Sequence, residues 1–271
     1  MSLLEETKFL LRRYRIFPKK TLGQHFLIEP SIFDKLCTYA SLNNSDIVLD
    51  AGAGLGFLTK FLAGKCGEVL AVESDSKLVK VLRERFKNFS NVKIIKGDLL
   101  KTDVPSFTKV VSIPPYNISS AFLLWLFNRS FENAVLILQK EFAERLKAEI
   151  GEEKYGWLTV VSYYYVEIEL FEDVPKWMFY PQPEVTSKIL RLKPKKPPPF
   201  KLKNKEFFRK FAQTLFAHRN RKVRNAILPV IKSMYTPSNI GKVVRNVPFL
   251  EKRVRELAPE DFGALANALI Q

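Results

Sequence analysis

Three glycines alternate with other residues between Gly52 and Gly56, directly after a short apolar stretch that ends in Asp50. The residues before this acid have the apolar, partly β-branched character of a buried strand, and the residues after Gly56 fit the start of a helix. Glycine adopts backbone angles closed to other residues and lets a ligand lie directly against the main chain. The helix start adds unpaired N–H groups. The stretch therefore predicts a strand, a tight turn and a helix suited to a nucleotide-like ligand.

The spacing of these glycines narrows the class of ligand. Nicotinamide, flavin and S-adenosylmethionine proteins all place a glycine-rich turn after a strand. The order here is Gly-x-Gly-x-Gly, which departs from the Gly-x-Gly-x-x-Gly fingerprint of dinucleotide-binding proteins. A nicotinamide-dependent oxidoreductase is therefore disfavoured, while a tight turn without any ligand remains open on this stretch alone.

Two further predicted strands also end in acids. Glu73 follows residues 69–72, at the distance from the glycines where an acid accepts hydrogen bonds from ribose hydroxyls. The alternative for Glu73 is a surface acid that caps the helix beginning near Asp75. Asp98 follows the strand at 92–97 and could accept a hydrogen bond from the exocyclic amine of adenine.

Alternation of strands and helices indicates an α/β fold. A fourth strand at 109–113 runs into a Pro-Pro-Tyr turn, and four strand-then-helix units predict a parallel sheet covered by helices. Ligands of such sheets collect at the carboxyl ends of the strands, so the glycines, the two acids and this turn should meet there. Further strands are predicted at 133–138 and 187–192 and a helix at 140–150, while 156–165 fits either a strand or a buried helix.

Composition limits the protein class. The chain has 271 residues, 46% of them hydrophobic, which is enough to bury a full core. Two cysteines suit a reducing compartment, and two histidines and two cysteines far apart offer no zinc-site spacing. The N-terminus has no secretory signal, and the longest uncharged run, 110–128, is broken by prolines and polar residues. We expect a cytoplasmic protein without a metal site and without a membrane partner.

Positive charge is concentrated in one part of the chain. The formal net charge is +16, and residues 191–224 hold thirteen Lys and Arg against one acid, Glu206. This bias favours a polyanion partner, most commonly nucleic acid, although a solvated linker and helix face would also produce it. The basic, proline-rich stretch 194–199 predicts a linker between a domain at 1–193 and a small all-helical domain at 200–271.

Several motifs in a fixed order give the chain a family resemblance. From Lys19 to the C-terminus it resembles the small-subunit ribosomal RNA adenine dimethyltransferases, which use S-adenosylmethionine. The motifs that carry the resemblance are Leu22–Leu27, Asp50–Gly54, Glu73, Gly97–Asp98, Pro115–Tyr116, Phe179–Ser187 and Phe216–Asn225. The resemblance implies a Rossmann-like S-adenosylmethionine-dependent methyltransferase fold, a small all-helical C-terminal domain, and a transferase active in ribosomal RNA processing.

The resemblance also implies which residues bind the cofactor. His25 and Leu27 would close over the methionine part, with the glycine turn against it. Glu73 would bind the ribose hydroxyls, and Asp98 with Leu99 would surround the adenine. The full implied set is His25, Leu27, Gly52, Gly54, Glu73, Ser74, Asp98, Leu99 and Ile113.

The implied chemistry acts on an extruded adenine. The target base would stack between Tyr116 and Phe179, because the amine of a paired base is out of reach of a methyl donor. In the family, the turn before the tyrosine begins with asparagine, but this chain has Ile113, followed by Pro114 and Pro115. Backbone carbonyls of Ile113 and Pro114 remain as acceptors, so we expect retained activity. Ser112 could replace the missing amide only if the turn shifted by one residue.

The resemblance implies a specific substrate: two adjacent adenosines in the hairpin loop near the 3′ end of small-subunit ribosomal RNA, each dimethylated at N6 during ribosome biogenesis. Four cations, Arg219, Arg221, Lys222 and Arg224, are the predicted RNA contacts, the small ribosomal subunit is the predicted partner, and a monomer is expected. Two alternatives are a large-subunit adenine methyltransferase and a ribosome-assembly or transcription factor that has lost turnover. Ile113 is the feature that supports the second.

Overall fold

The computed structural model describes residues 1–19, 23–236, 244 and 247–270. Leu22, the first residue of one motif, lies outside them. The chain divides into two compact units, residues 1–143 with 168–194, and residues 144–167 with 195–271. The second unit thus differs from the predicted C-terminal domain in that it also includes residues 144–167.

The first unit is built on a mixed sheet. Within the described residues, it has seven strands: β2 (Ile47–Ala51), β3 (Glu68–Glu73), β4 (Val92–Lys96), β5 (Lys109–Ser112), β6 (Asn133–Gln139), β7 (Val166–Val174) and β9 (Ser187–Pro194). Their order in the sheet is β4-β3-β2-β5-β6-β9-β7. Strands β2 to β6 pair in parallel, and β9 pairs antiparallel with β6. The order is that of a doubly wound fold, 3-2-1-4-5-6, with one antiparallel strand inserted before the last.

Helices connect and cover these strands. They are α1 (Leu3–Arg13), α2 (Pro30–Ala40), α3 (Phe57–Ala63), α4 (Ser76–Arg85), α5 (Ser119–Leu126) and α6 (Lys140–Arg145). The central strands are mostly apolar, as expected for strands that helices cover on both faces, and Val48, Leu49 and Val110 are completely buried. This α/β architecture confirms the predicted fold class.

A two-stranded ribbon completes the first unit. Strand β1 (Phe26–Leu27) pairs antiparallel with β8 (Phe179–Tyr180), which follows a 3-10 turn at Lys176–Met178. The sequence pattern predicted only loops here, because a two-residue strand carries no periodicity and its partner lies more than 150 residues away.

The second unit contains α7 (Trp157–Tyr165), α8 (Lys205–Phe216), α9 (Val223–Ala226), α10 (Leu228–Met234) and α11 (Pro259–Leu269). The contacts of Tyr155 explain why residues 144–167 belong to the second unit. Its hydroxyl donates to the carbonyl of Leu257 at 2.8 Å, and its ring packs against Phe216. The ambiguous stretch 156–165 is a helix, and its apolar residues pack into this helical core.

Several predicted elements differ in extent. No helix follows β4, where residues 99–108 form turns and loop, and the predicted helix 140–150 ends at Arg145. Strand β7 was not predicted, although Val166, Ile168 and Leu170 alternate with acids as in a half-buried strand. Cys37 and Cys66 are buried free thiols, and burial raises the pKa of each to about 11. Among the described residues, no helix combines the length and apolar character needed to cross a membrane.

Candidate functional site

A cleft opens at the carboxyl ends of the central strands. Strand β2 pairs with both β3 and β5, so the chain connections leave β2 toward opposite edges of the sheet. Ligands of open α/β sheets bind at such a switch point. A cavity of about 270 Å³ lies there, lined by the turns after β2, β3, β4 and β5 and by residues 23–26. A smaller cavity of about 50 Å³ adjoins it beneath the glycine turn.

The glycine turn lies tightly against the turn after β5. Gly52 has a φ of +82°, and a Cβ atom there would lie 2.9 Å from Cδ of Pro115. The N–H groups of Gly52 and Ala53 both donate to the carbonyl of Val72, at 2.8 and 3.1 Å. Backbone conformation and space therefore both require glycine at position 52, and the turn is fixed from both sides.

Glu73 is held by the backbone around it. Its carboxylate accepts N–H groups from Gly54 at 2.9 Å and from Ser74 and Asp75 at 2.8 Å each. Burial raises the pKa of Glu73, and these three hydrogen bonds oppose the rise. Oε1 accepts the N–H groups of Ser74 and Asp75 and, at 3.5 Å, the Ser74 hydroxyl, whereas Oε2 accepts the N–H of Gly54. Each carboxylate oxygen accepts about two hydrogen bonds, so Oε2 keeps an acceptor position for a ligand in the cavity. The residue that caps α4 is Asp75, whose side chain accepts the N–H of Lys77, so the capping alternative for Glu73 is wrong.

A second carboxyl lies deeper, at the end of β2. Asp50 is 1% exposed and accepts the hydroxyl of Thr59 at 2.7 Å. Burial raises the pKa of Asp50 to about 7, and the charge of Glu73 adds to this shift while the Thr59 hydrogen bond opposes it. Asp50 lines the smaller cavity, so two buried acids border the cleft. Such a pair favours a ligand that carries positive charge.

The hydroxyl of Ser112 is hydrogen-bonded within the sheet. It is fully buried, its Oγ donates to the carbonyl of Ala51 at 2.7 Å, and the same oxygen accepts the N–H of Ala51 at 3.2 Å. A hydroxyl with both contacts on a neighbouring strand is not presented to the cleft. The structure therefore gives Ser112 no part in replacing the amide that Ile113 lacks.

Two rings stand side by side at the mouth of the cleft. The centroids of His25 and Tyr116 are 6.0 Å apart and their planes differ by 22°. His25 Nδ1 lies 2.7 Å from the carbonyl oxygen of Pro181, which only accepts, so this nitrogen carries the proton. The Tyr116 hydroxyl lies 2.6 Å from Oγ of Ser187, and burial raises the pKa of Tyr116 to about 12. Tyr116 is thus a neutral, anchored ring.

The predicted cofactor residues converge. All but Leu27 line the larger cavity, and Leu27 lines the smaller one, which His25, Gly52, Gly54 and Ile113 share. Asp98 is half exposed and its side chain accepts the N–H of Leu100 at 3.0 Å, while Leu99 is 5% exposed.

The predicted catalytic residues are more scattered. Ile113 and Pro115 line the cavity, and Tyr116 follows them, but Pro114 is buried and lines neither cavity. Phe179 is only 1% exposed and packs in β8 opposite Leu27. In this conformation, the Phe179 ring is closed to a ligand.

The four predicted RNA-binding cations lie in the second unit and differ in their partners. Arg219 donates to the carbonyls of Glu153 at 2.7 Å and Glu152 at 3.1 Å. Lys222 and Arg224 both pair with Glu251 at 2.8 Å. Among the residues that the structure describes, the Arg221 side chain has no hydrogen bond or ion pair. The chain reversal at 247–256 adds cations beside them, Lys252, Arg253 and Arg255, which the sequence pattern did not single out.

The sequence did not predict every residue of the site. Gln24 lines the cavity and donates to Asp75 at 3.4 Å, and the structural parts played by Thr59 and Ser112 were missed. A polar residue at the end of a buried strand, as at Ser112, was the available signal. No cluster of His, Cys, Asp and Glu that could hold a metal ion occurs in the described part of the chain.

Known proteins match this chain over most of its length. The family described as "Ribosomal RNA adenine dimethylase" matches residues 18–262. "Probable ribosomal RNA small subunit methyltransferase A" of Methanosarcina acetivorans is 40% identical over 262 residues, 96% of each chain. A dimethyladenosine transferase from Plasmodium falciparum superposes with a TM-score of 0.77 at 27% identity, over 89% of this chain and 95% of that one. The 23S rRNA methyltransferase ErmE gives 0.64 at 27% identity, over 91% and 100%.

These matches confirm the predicted enzyme class, an rRNA adenine dimethyltransferase, and its cofactor, S-adenosylmethionine. The cleft fits that cofactor, since it combines a glycine turn without side chains, the Glu73 carboxylate with an open acceptor position, and a second buried acid, Asp50, which together would favour the positive charge of the cofactor. The chain belongs to the ribosomal RNA adenine dimethylase family.

Proposed function

We propose that the enzyme dimethylates N6 of two adjacent adenosines in the hairpin loop near the 3′ end of small-subunit ribosomal RNA during ribosome biogenesis. It acts in the cytoplasm, as a monomer, on the small ribosomal subunit. The name of the relative from Methanosarcina acetivorans supports the small subunit over the large one. The observation that carries the proposal is the convergence of the cofactor residues on one cleft, with Tyr116 at its mouth.

Each wall of the cleft receives one part of the cofactor in this proposal. Glu73 accepts the ribose hydroxyls with its open acceptor position, and Ser74 lies beside it. Asp98 and Leu99 surround the adenine. Gly52 and Gly54 leave room for the methionine part, over which His25 and Leu27 close. S-adenosylmethionine supplies a methyl group already activated on a sulfonium sulfur.

Tyr116 provides a stacking face for the target adenine. Its ring is fixed through Ser187, and stacking on an aromatic ring is worth roughly 1 to 3 kcal/mol per base. Phe179 is the second face, and because its ring is buried against β1, entry of the base includes a displacement of the β1–β8 ribbon. The hydrogen bond between His25 and the Pro181 carbonyl holds the end of this ribbon. His25, which closes over the cofactor in this proposal, thereby also controls access of the base to Phe179.

Alignment of the amine is the remaining catalytic task. The N6 lone pair is delocalised into the purine ring, and acceptors for the amine protons turn it toward the methyl group, so positioning supplies most of the rate. Carbonyls of Ile113 and Pro114 are the acceptors in this chain, and Pro115 fixes the turn against Gly52. The absent amide makes turnover slower than an asparagine would allow.

The helical second unit binds RNA phosphates through Arg219, Arg221, Lys222 and Arg224. Such contacts release counterions, so RNA affinity falls steeply as salt increases. Of the four, Arg221 is the side chain open to a phosphate without a rearrangement, within the described residues.

The proposal is tested with undermethylated small subunits. Subunits are incubated with the enzyme and methyl-labelled S-adenosylmethionine, and the modified nucleotides are mapped by nuclease digestion and mass spectrometry. Large subunits and small subunits that already carry the modification serve as controls. Two methyl groups on each of two adjacent adenosines in the 3′-terminal hairpin loop support the proposal. Label on large-subunit RNA, or on single adenosines elsewhere, overturns it.

A further inference from the structure

A short basic segment lies at the start of the residues that match the family, most of it just before them. The N-terminal basic segment, residues 8–19, comprises the end of α1 and the chain that follows it. It contains five exposed cations and no acid: Lys8, Arg12, Arg13, Arg15 and Lys19. We propose that this segment is a second RNA-binding surface, beside the cleft, that holds unpaired nucleotides of the substrate. The inference rests on ribosomal RNA being the substrate.

The charge of this segment is not neutralised within the protein. Among the described residues, none of the five cations pairs with a carboxylate. The acids of α1 are occupied elsewhere, since Glu5 caps the helix at Ser2 and Glu6 pairs with Arg85 at 2.8 Å. A run of free cations with no acid attracts a polyanion.

Both ends of the segment lie at the rim of the cleft. Lys8 Nζ lies 5.5 Å from the ring centroid of Tyr180, whose strand partner Phe26 lines the cavity. At the other end, the N–H of Lys19 donates to Oε1 of Gln24 at 2.9 Å, and Gln24 also lines the cavity. An RNA strand that delivers an adenosine into the cleft would therefore pass these cations.

Two large aromatic side chains stand free on the same segment. Phe17 is 80% exposed and Phe9 is 51% exposed, with cations on both sides of each in the sequence. Exposed rings among cations are the composition of a platform for single-stranded nucleic acid, where bases stack and phosphates pair. A basic helix with phenylalanines also fits an anionic lipid surface. The contacts with the cleft favour RNA.

The segment offers a variant that separates binding from folding. Arg15 has a φ of +50°, in the left-handed region where glycine is favoured, just after the end of α1. Arg15→Gly therefore removes a cation while it relieves backbone strain, and Tm should stay equal or rise. Weaker RNA binding in this variant cannot be ascribed to a loss of stability.

The test compares two sets of three lost charges. Arg12→Gln, Arg13→Gln and Arg15→Gly are combined. The matched control combines Lys65→Gln, Lys93→Gln and Arg129→Gln, three exposed cations that lie just after α3, in β4 and just after α5. Binding of undermethylated small-subunit RNA is measured at several salt concentrations. The segment variant should lower the slope of log K against log salt by about 2 to 3 relative to wild type. Phe17→Ala should weaken binding at least about fivefold.

Other readouts separate this inference from the proposed function. Affinity for S-adenosylhomocysteine should be unchanged in the segment variant, and methylation should show a raised KM for RNA with the same kcat. The inference is overturned if the control set loses as much RNA affinity as the segment set. It is also overturned if the segment variant keeps full RNA affinity but loses binding to phosphatidylcholine–phosphatidylglycerol vesicles. Failure of the wild type to methylate any ribosomal RNA would refute the proposed function, whereas loss of RNA binding in the segment variant would still support this surface.

Discussion

Ser112 joins the ends of the two strands that flank the cleft, because its Oγ donates to the carbonyl of Ala51 at 2.7 Å and accepts the N–H of the same residue at 3.2 Å. The hydroxyl thus links β2 to β5 at the carboxyl ends of these strands, and it is buried, out of reach of a ligand in the cleft. This buried side chain therefore contributes to the position of the glycine turn relative to the Pro-Pro-Tyr turn, beside the contact between Gly52 and Pro115.

Replacement of this serine should cost stability. Ser112→Ala removes the hydrogen bonds that the Ser112 hydroxyl makes with the buried N–H and carbonyl of Ala51. This should lower the unfolding free energy by about 1 to 3 kcal/mol. Urea unfolding measures it, with the exposed Ser90→Ala as the control. Equal unfolding free energies of the two variants would show that the contacts contribute nothing.

Ile113 should limit the rate of methyl transfer. Ile113→Asn supplies a side-chain acceptor for an amine proton, and one such hydrogen bond is worth about 0.5 to 1.5 kcal/mol, so kcat should rise about two- to tenfold. Ile113→Leu, which keeps the apolar character, should show no gain. Single-turnover methylation of undermethylated small subunits measures the effect. A wild type without detectable turnover would contradict the expectation of retained activity.

Asp50 should make stability depend on pH. Its pKa of about 7 lies above the unfolded value of 3.8, so between these values the folded state holds a proton that the unfolded state has lost. The unfolding free energy therefore falls as pH rises from about 4 to 7 and levels off above 7. Asp50→Asn removes this decline, and from pH 4.5 to pH 8 it should gain about 3 kcal/mol relative to wild type.

Urea unfolding at both pH values tests this expectation. Asp34→Asn, which alters an exposed carboxyl on α2, is the control. The same pH dependence in wild type and Asp50→Asn would mean that Asp50 is ionised in the folded protein at neutral pH.

The basic cluster of the second unit should divide into structural and RNA-binding cations. Arg221→Ala should weaken RNA binding and leave Tm unchanged, since no partner is lost among the described residues. Arg219→Ala should lower Tm, because two backbone carbonyls lose their donor. Glu251→Gln frees Lys222 and Arg224 and should strengthen RNA binding. Salt-dependent filter binding and thermal unfolding measure these effects, and a loss of RNA affinity in Glu251→Gln would refute this division.

The sequence predicted the cleft because its parts are local. A strand, an acid and a glycine turn are adjacent in the chain, and the rule that parallel strands end at one edge then brings Gly52, Glu73 and Asp98 together. The burial of Phe179 could not be predicted, because it depends on a pairing with Leu27 across more than 150 residues. Nor could the contact between Ser112 and Ala51, since it depends on the register of β5 against β2.

Partners of charged residues were equally out of reach of the sequence. The excess of cations at 191–224 is visible in composition, but the pairing of Lys222 and Arg224 with one acid is set by the fold. The residue type alone does not tell whether a cation is paired in the fold. The cations of the N-terminal basic segment are likewise visible in the sequence, but the contacts of Lys8 and Lys19 with the rim of the cleft are not.

The central claim is that Glu73 holds the cofactor in the cleft at the carboxyl edge of the sheet. Isothermal titration with S-adenosylmethionine compares wild type, Glu73→Gln and Glu68→Gln, which makes the same chemical change at the opposite end of β3. Hydrogen bonds to a charged group are worth about 1.5 to 3 kcal/mol, so Glu73→Gln should weaken binding about ten- to hundredfold while Glu68→Gln binds like wild type. Wild-type affinity in Glu73→Gln would contradict the account.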